Sequence, residues 1–399
     1  MKLLKTLSVA GLATTLVAPH AAAQQDEILI GMGISQSGFM AAYDIPNHRA
    51  AILKIEEINA AGGLLGKKLR YEIRDARSNR EQAAKVGAEL VQMKPALMLV
   101  TGTYDVGAAT ALPAQQAKII TFSMGAADPK MGTPVGPYSF TANGAAQSEG
   151  ILMSEWAYRD KGWRTAFILE DQFIEYTRSG CAGFRASWRR LGGTIVGQDT
   201  FRNADPSIAA QITRIRGLAK QPDVIFMCSI PPGGASALRQ LRAAGINTPI
   251  LSVVGMSDNF WLGTVPDLSN FYNPSHISIF GDDPRKDVNE LVEKFTKRWG
   301  EKPSTSYIGM GYSLIDGWAR AVQRAGSFDS DKVLAELQKF KDEPLLLGAT
   351  SYTPEFHLQL DQPRVLMEVQ NGKHKAIGIR RNEWVPPMPL LLRVGEYAN

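Results

Sequence analysis

Residues able to do chemistry are scattered along this chain, and the motifs that would assemble them fail at identifiable positions. Gly31-Met32-Gly33 follows an apolar run, as the first glycines of a dinucleotide fingerprint would. The third glycine position, however, holds Gln36, and the next helix starts too late to receive a pyrophosphate. Gly66-Lys67-Lys68 lacks both ends of a phosphate-binding loop, with Ala61 in place of the first glycine and Lys68 in place of the hydroxyl. It reads as a helix-to-strand turn. His48, His276, His357 and His374 are each isolated, and no serine sits in a Gly-x-Ser-x-Gly elbow. An exported hydrolase would therefore need a triad assembled only in space. Cys181 and Cys228 have no histidine or carboxylate cluster at ligand spacing beside them, which argues against a metal site. In an oxidising compartment they are open to a disulfide and equally to two buried thiols.

What remains is binding chemistry. Three loops stand at the carboxyl ends of apolar strands: Ser35 to Tyr43, Thr101-Gly102-Thr103-Tyr104-Asp105, and Ser123-Met124-Gly125-Ala126-Ala127. Open α/β sheets hold ligands at that edge, and small residues let backbone N–H groups approach a guest.

The elements that position these loops are marked by periodicity. Ile28 to Ile34 is almost uninterrupted in its apolarity, as a strand covered on both faces is. The stretch Arg49 to Lys68 places Ile52, Ile55 and Ile58 on one helical face and Lys54, Glu56 and Glu57 on the other, and ends at Gly62-Gly63. Apolar strand-like runs then recur at Ala96 to Val100, Lys118 to Phe122, Thr165 to Leu169, Val224 to Cys228 and Ile250 to Val254. Helical stretches near Arg80 to Met93, Gln147 to Arg159, Tyr176 to Leu191, Ser207 to Ala219 and Gly234 to Ala244 alternate with them. That alternation predicts doubly wound α/β layers. Ser78-Asn79-Arg80-Glu81 has the pattern of a capping box. A helical block comes next, near Lys286 to Trp299, Ser306 to Ala325 and Asp331 to Phe340, before strand-like pieces return at Val365 to Gln370 and Lys375 to Ile379. Such an order implies a chain that crosses between domains more than once.

The ends and the charge restrict the setting. Residues 1–23 carry Lys2 and Lys5, an apolar segment from Leu7 to Val17, and Ala21-Ala22-Ala23, the three regions of a cleavable signal peptide. The apolar segment is too short for a stable membrane anchor. No cysteine stands just after the cleavage point, so lipid attachment there is not expected. A soluble, exported protein of the bacterial periplasm is the expectation. The chain beyond the leader is longer than one hydrophobic core usually serves, so two domains are expected. A net charge of +5 from 44 basic and 39 acidic residues gives no ground for nucleic acid. Arg185, Arg189 and Arg190 read as a solvated helix face.

Four segments carry a family resemblance: EEINAAGGLLGKKL with Arg74-Asp75 behind it; ITFSMGAADP from Ile120 to Pro129; FILEDQFIEYTRSGCAGF from Phe167 to Phe184; and the pair DVIFMCS and LRAAGINTPIL between Asp223 and Leu251. In their order and spacing, from Ile28 to about Ile379, the chain resembles the type I periplasmic solute-binding proteins of ABC importers, in particular the branched-chain amino-acid (Leu/Ile/Val) binding family. The resemblance implies two doubly wound Rossmann-like α/β lobes joined by three crossover strands. Lobe 1 would hold residues 24–144 and 282–346, lobe 2 residues 145–281 and 347–385, with a C-terminal tail over 386–399. It implies hinge closure around a small-molecule solute, no chemistry on that solute, no cofactor, a monomer, and an inner-membrane ABC permease as partner. A periplasmic sensor delivering the closed form to a signalling protein is the alternative within the same class.

Carried over position by position, the resemblance matches the aromatic wall to Tyr43, the clamp at a helix N-terminus to Tyr104 and Asp105, the second clamp to Ala126 and Ala127, and the ligand-facing tyrosine of lobe 2 to Tyr176. Ile230 stands where lobe 2 would add a side chain, and Phe173 adds aromatic surface. Two positions depart. The acid expected to pair with an amino group aligns with Val254, leaving nearby Asp258 as its substitute, and Asp105 would repel a carboxylate. An α-amino acid needs both ends paired, because a buried unpaired charge is costly. The expected ligand is therefore a small, largely apolar or aromatic solute rather than leucine.

Overall fold

In the computed structural model, which describes residues 27–386 and 391–392, the strand from Ile28 lies at the heart of a parallel sheet. The leader expected over residues 1–23 and most of the tail expected over 386–399 lie outside the described residues. The first run of elements is β1 (Ile28–Ile34), α1 (Ala41–Ala60), β2 (Leu69–Asp75), α2 (Arg80–Gln92), β3 (Leu97–Val100), α3 (Tyr104–Gln116), β4 (Thr121–Ser123) and β5 (Ser139–Thr141). Their strands form one sheet, all parallel, in the order β2-β1-β3-β4-β5. From Leu29 onward β1 is buried on both faces, which explains its unbroken apolar run.

A second run comes after it: α4 (Ala146–Arg159), β6 (Thr165–Asp171), α5 (Glu175–Arg190), β7 (Thr194–Phe201), α6 (Ala209–Arg216), β8 (Val224–Cys228), α7 (Gly233–Ala243), β9 (Ile250–Leu251) and β10 (Phe271–Ser275). The chain then forms α8 (Lys286–Trp299), α9 (Ile308–Ala325), α10 (Ser330–Leu337), the hairpin β11 (Glu343–Leu345) and β12 (Gly348–Thr350), and finally β13 (Arg364–Gln370) and β14 (Lys373–Arg380). The second sheet runs β14-β13-β10-β9-β8-β6-β7, with β13 and β14 antiparallel at its edge. Helices α8, α9 and α10 pack back onto the first sheet, where Leu291, Phe295, Leu314, Trp318 and Phe340 share a core with Ile30, Leu99 and Phe122. The second sheet has cores of its own on its two faces. Two α/β lobes result, and the chain passes between them three times, at Thr141 to Ala146, Ser275 to Lys286 and Thr350 to Arg364.

Arg364 ties those passages together. Its guanidinium is fully buried and donates to Asn143 Oδ1 at 2.8 Å, to Nδ1 of His276 at 3.0 Å and to Gln362 Oε1. Burial holds His276 neutral, well below its usual pKa, with Arg364 and Arg285 acting in the same direction, so the ring accepts that proton. The first and third passages also share backbone bonds, Ala145 N to Gln359 O at 3.2 Å and Gln359 N to Asn143 O at 3.0 Å.

Several local expectations shift. Helix α1 starts at Ala41, before the expected Arg49, although it contains Pro46. Contacts from outside hold this extension: Asp44 accepts from the N–H groups of Ser35 and Gly102, and Asn47 donates to Met124 O. Gly62 and Gly63 adopt φ of 110° and 91°, the conformation glycine tolerates best. The cap of α2 is Asn79, whose Oδ1 accepts from Gln82 N at 2.9 Å, and not Ser78. Ser78 itself sits at φ 49° and donates to Ser37 O. Lys118 takes φ 54° in the turn after α3, which delays β4 to Thr121. Regular pairing in β9 ends at Leu251, and Val254–Met256 coil into a 3-10 turn.

Cys181 in α5 and Cys228 at the end of β8 form a buried disulfide with their Cα atoms 5.7 Å apart, resolving the choice between bridge and free thiols. Bridging residues 47 apart in sequence constrains the unfolded chain. Replacing both cysteines by alanine is expected to lower stability by about 2–4 kcal/mol in urea titrations with the bridge of the parent intact.

Candidate functional site

At the carboxyl ends of the strands, between the lobes, lies a narrow cavity of about 30 Å³. Each wall comes from a turn where a strand hands over to a helix. The loop after β1 and the start of α1 supply Met40 and Tyr43; the β3–α3 junction supplies Gly102, Thr103, Tyr104 and Asp105; the loop after β4 supplies Gly125 to Asp128. From the second lobe come Ile174 and Tyr176 at the start of α5, Ile230 after β8, and Gly255 in the turn after β9. Tyr307, just ahead of α9, closes the remaining side. Gly125 and Gly255 allow this close approach. A Cβ on Gly125 would stand 2.6 Å from the Tyr307 ring, and one on Gly255 would stand 2.7 Å from Ile230.

The lining is mostly apolar and its polar groups are placed by named bonds. The Tyr43 hydroxyl donates across the cleft to Gly255 O at 2.9 Å, and its ring packs edge-on against Tyr307 and Phe260, each 5.3 Å away. The Tyr176 hydroxyl donates to Glu149 Oε2 at 2.6 Å and accepts from Gly255 N at 2.9 Å. Glu149 is fully buried, and its Oε2 also accepts from Val254 N at 2.9 Å. Burial raises its pKa against the opposing pull of Arg364 and these hydrogen bonds. Asp128 is pushed up to about 6, chiefly by burial, and Asp105 is raised for the same reason.

Seven of the anticipated positions, Tyr43, Tyr104, Asp105, Ala126, Ala127, Tyr176 and Ile230, meet at this cavity. Val254 and Asp258 do not line it. The Val254 side chain packs behind the wall with Met40, Tyr43 and Tyr307. Asp258, anticipated as a substitute cation partner, is instead bound within the protein. It accepts from Thr305 Oγ1 at 2.8 Å, Ser306 N at 2.9 Å and Ser257 Oγ at 3.3 Å, joining the turn after β9 to the start of α9. Phe173 is exposed and packs on Phe39, with ring centroids 5.0 Å apart.

Sequence reasoning passed over Glu149, Asp128 and Tyr307. For Glu149 the signal was a lone carboxylate ahead of the apolar run Gly150-Ile151-Leu152-Met153. Asp128 directly follows Ala126-Ala127 in a segment already singled out.

A model of the periplasmic binding protein family matches residues 27–374. The chain belongs to that family. It is 25% identical over 376 residues to an amino acid binding protein of Pseudomonas aeruginosa, covering 93% of this chain and 96% of that one. It is 24% identical to a Leu/Ile/Val-binding protein homologue of Brucella suis, covering 87% and 92%. Among solved structures, the branched-chain amino acid transporter substrate-binding protein LivJ of Streptococcus pneumoniae, in complex with isoleucine, superposes with a TM-score of 0.78 at 24% identity, covering 89% of this chain and 99% of that one. A solute-binding protein of an ABC transporter from Rhodopseudomonas palustris BisB5, in complex with 3,4-dihydroxybenzoic acid, gives 0.77 at 21% identity, covering 90% and 99%. The family and the fold are those of solute-binding proteins. No helix among the described residues is long and apolar enough to cross a membrane.

The buried carboxyls give this member of the family a pH signature. Asp258 has its pKa raised to about 7, with burial as the main cause. Its folded value lies above its unfolded value, so the folded state holds the proton longer, and this group's ionisation removes stability as pH rises from about 4 to about 7. Asp258→Asn keeps an acceptor for Ser306 N and removes the ionisation. Relative to the parent, the variant should gain stability progressively across that interval and hold a constant difference above it, as read by urea unfolding at each pH.

Proposed function

We propose that this chain is the periplasmic substrate-binding component of an ABC importer, capturing a small solute between its lobes and handing it to an inner-membrane permease. The observation that carries this reading is a cavity walled by both lobes at their strand ends, lined by four tyrosines and small residues. Open α/β sheets hold ligands at that edge, and on this reading the lobes part to admit the solute and close on it. On this reading Tyr43, Tyr104, Asp105, Ala126, Ala127, Tyr176 and Ile230 contact the solute, Val254 backs the wall, and Asp258 clasps one lobe to the other. The lobes are residues 24–144 with 282–346, and 145–281 with 347–385. Residues 1–23 direct export and are then removed, leaving a monomer in the periplasm.

The solute is small and largely apolar or aromatic. Tyr43, Tyr104, Tyr176 and Tyr307 present ring surface, and Met40, Ile174 and Ile230 add aliphatic surface. Similar proteins are found in complex with isoleucine and with 3,4-dihydroxybenzoic acid, both small solutes. Closure around the solute leaves it chemically unchanged.

Mass spectrometry of material released on denaturing the purified protein should identify a small organic molecule. Adding that compound back to stripped protein should raise the melting temperature and reduce the radius of gyration in small-angle scattering. Conversion of the compound to a product, or no compaction at saturation, would contradict the proposal. Gly125→Ala drives a methyl against Tyr307 and pushes the ring toward the cavity, so affinity should fall by about tenfold or more while the fold is kept.

A further inference from the structure

The polar groups of the cavity are unevenly matched to a guest. Among the described residues, no lysine, arginine or histidine lines it. Several groups that could donate a proton to a ligand are already engaged inside the protein. Tyr43 donates to Gly255 O, Tyr176 to Glu149, and the Thr103 hydroxyl to Asp105 Oδ2 at 3.2 Å. The N–H of Ala126 is held by Ser123 Oγ at 3.1 Å.

A buried acceptor is also left over. Asp128 is 1% exposed and lines the cavity; its Oδ1 accepts from Lys130 N at 2.8 Å, while its Oδ2 has no partner among the described residues. A buried carboxylate oxygen without a donor is costly, and a solute that brings the proton removes that cost.

The neighbouring charges point the same way. The carboxylates of Asp105 and Glu175 both act on Asp128. Lys130 reaches toward Glu175, 3.8 Å away, and lies over the Tyr104 ring; Arg178 holds the same Glu175 oxygen at 2.9 Å. Three carboxylates thus stand against two cations, both directed at Glu175. One positive charge would complete the set at Asp128.

We infer that the solute carries a cationic, proton-donating head, an ammonium or amidinium group on its apolar body, and that Asp128 with Asp105 receives it. This rests on the cavity being the solute site. It also separates this protein from the similar one that holds 3,4-dihydroxybenzoic acid.

The pH dependence distinguishes the two charges of head. Burial holds the Asp128 carboxyl up at about 6, with Asp105 and Glu175 raising it further and Lys130 lowering it. A cationic head binds the ionised form, so its affinity rises with pH through that value. A carboxylate head needs the protonated form, so its affinity falls.

The test is calorimetry on the purified, stripped protein with four probes sharing one ring: benzylamine, benzamidine, benzyl alcohol and benzoate. At pH 7.5 the two cations should bind at least about tenfold more tightly than the alcohol and benzoate. Asp128→Asn should abolish that preference while leaving the unliganded melting temperature equal or higher, because it removes a buried charge. Benzoate or the alcohol binding as tightly as the cations, a cation preference surviving in Asp128→Asn, or no probe binding at all, would overturn the inference. Gly125→Ala separates this failure from failure of the site itself. Benzoate binding that Gly125→Ala weakens would leave the cavity as the solute site with the wrong head assigned, whereas binding indifferent to Gly125→Ala would discard the site as well.

Discussion

A guanidinium buried where three chain passages run side by side must be satisfied by those passages, and this requirement organises the molecule. Arg364 draws Asn143 from the first passage, His276 from the second and Gln362 from its own. Removing an arginine from water is costly unless hydrogen bonds replace the lost hydration, so the passages are held in one mutual arrangement. Asn143 extends the network toward the interlobe cavity by donating to Gly125 O at 2.6 Å. The Tyr307 ring stands edge-on to His276 at 4.9 Å and forms a wall of that cavity. The junction of the lobes and the floor of the site are one continuous structure.

Glu149 gives the network its opposite charge. It lies on α4, directly beyond the first passage, and Arg364 is the cation that favours its ionised form. Its Oε2 fixes Tyr176 and the backbone at Val254, which sets the position of Gly255. In this way a buried acid, itself outside the cavity lining, orients a tyrosine and a backbone segment that belong to it. The same bonds consume the tyrosine proton. The bonds that hold these walls in place thus take up the protons of Tyr43 and Tyr176.

Much of the fold was legible because its signals are local. The apolar run of β1, the helical period of α1 and the glycine pair after it each report a backbone state within a few residues. Elements whose state is set from afar were read less well. The first turns of α1 run through Pro46 because Asp44 and Asn47 are held by Ser35, Gly102 and Met124. Strand β7 is half exposed along most of its length and β5 is three residues long, so neither has the apolar run that marks a buried strand. The same division holds at the cavity. The loops that carry Tyr43, Tyr104, Asp105, Ala126 and Ala127 were found because strand ends in one sheet point to one edge, and the family resemblance singled out those residues within them. Tyr307 stands just ahead of a helix whose place depends on the chain returning across the junction, and no local pattern encodes that. Asp258 illustrates the converse. Adjacency in sequence suggested a ligand contact, yet the carboxylate found partners in Thr305 and Ser306, more than forty residues ahead.

On the proposed reading, the residues that hold the lobes together and those that meet the solute overlap, and this couples closure to binding. Tyr43 is a wall of the cavity and also donates to Gly255 across the cleft. Asp258 and Ser257 bind Thr305 and Ser306 in the segment that carries Tyr307. The ion pair between Lys130 and Glu175 spans the rim, but its side chains are about a third exposed, so solvent screening leaves it little energy. The buried contacts must therefore carry most of the preference for the closed form. They form only when the lobes meet, whereas the solute touches both lobes only in that state. A ligand can shift such an equilibrium by no more than its difference in affinity for the two forms. A solute confined to the wall of one lobe would bind without closing the protein, and one that reaches Tyr104 and Asp128 on one side and Tyr176 and Ile230 on the other would favour closure with every contact it makes.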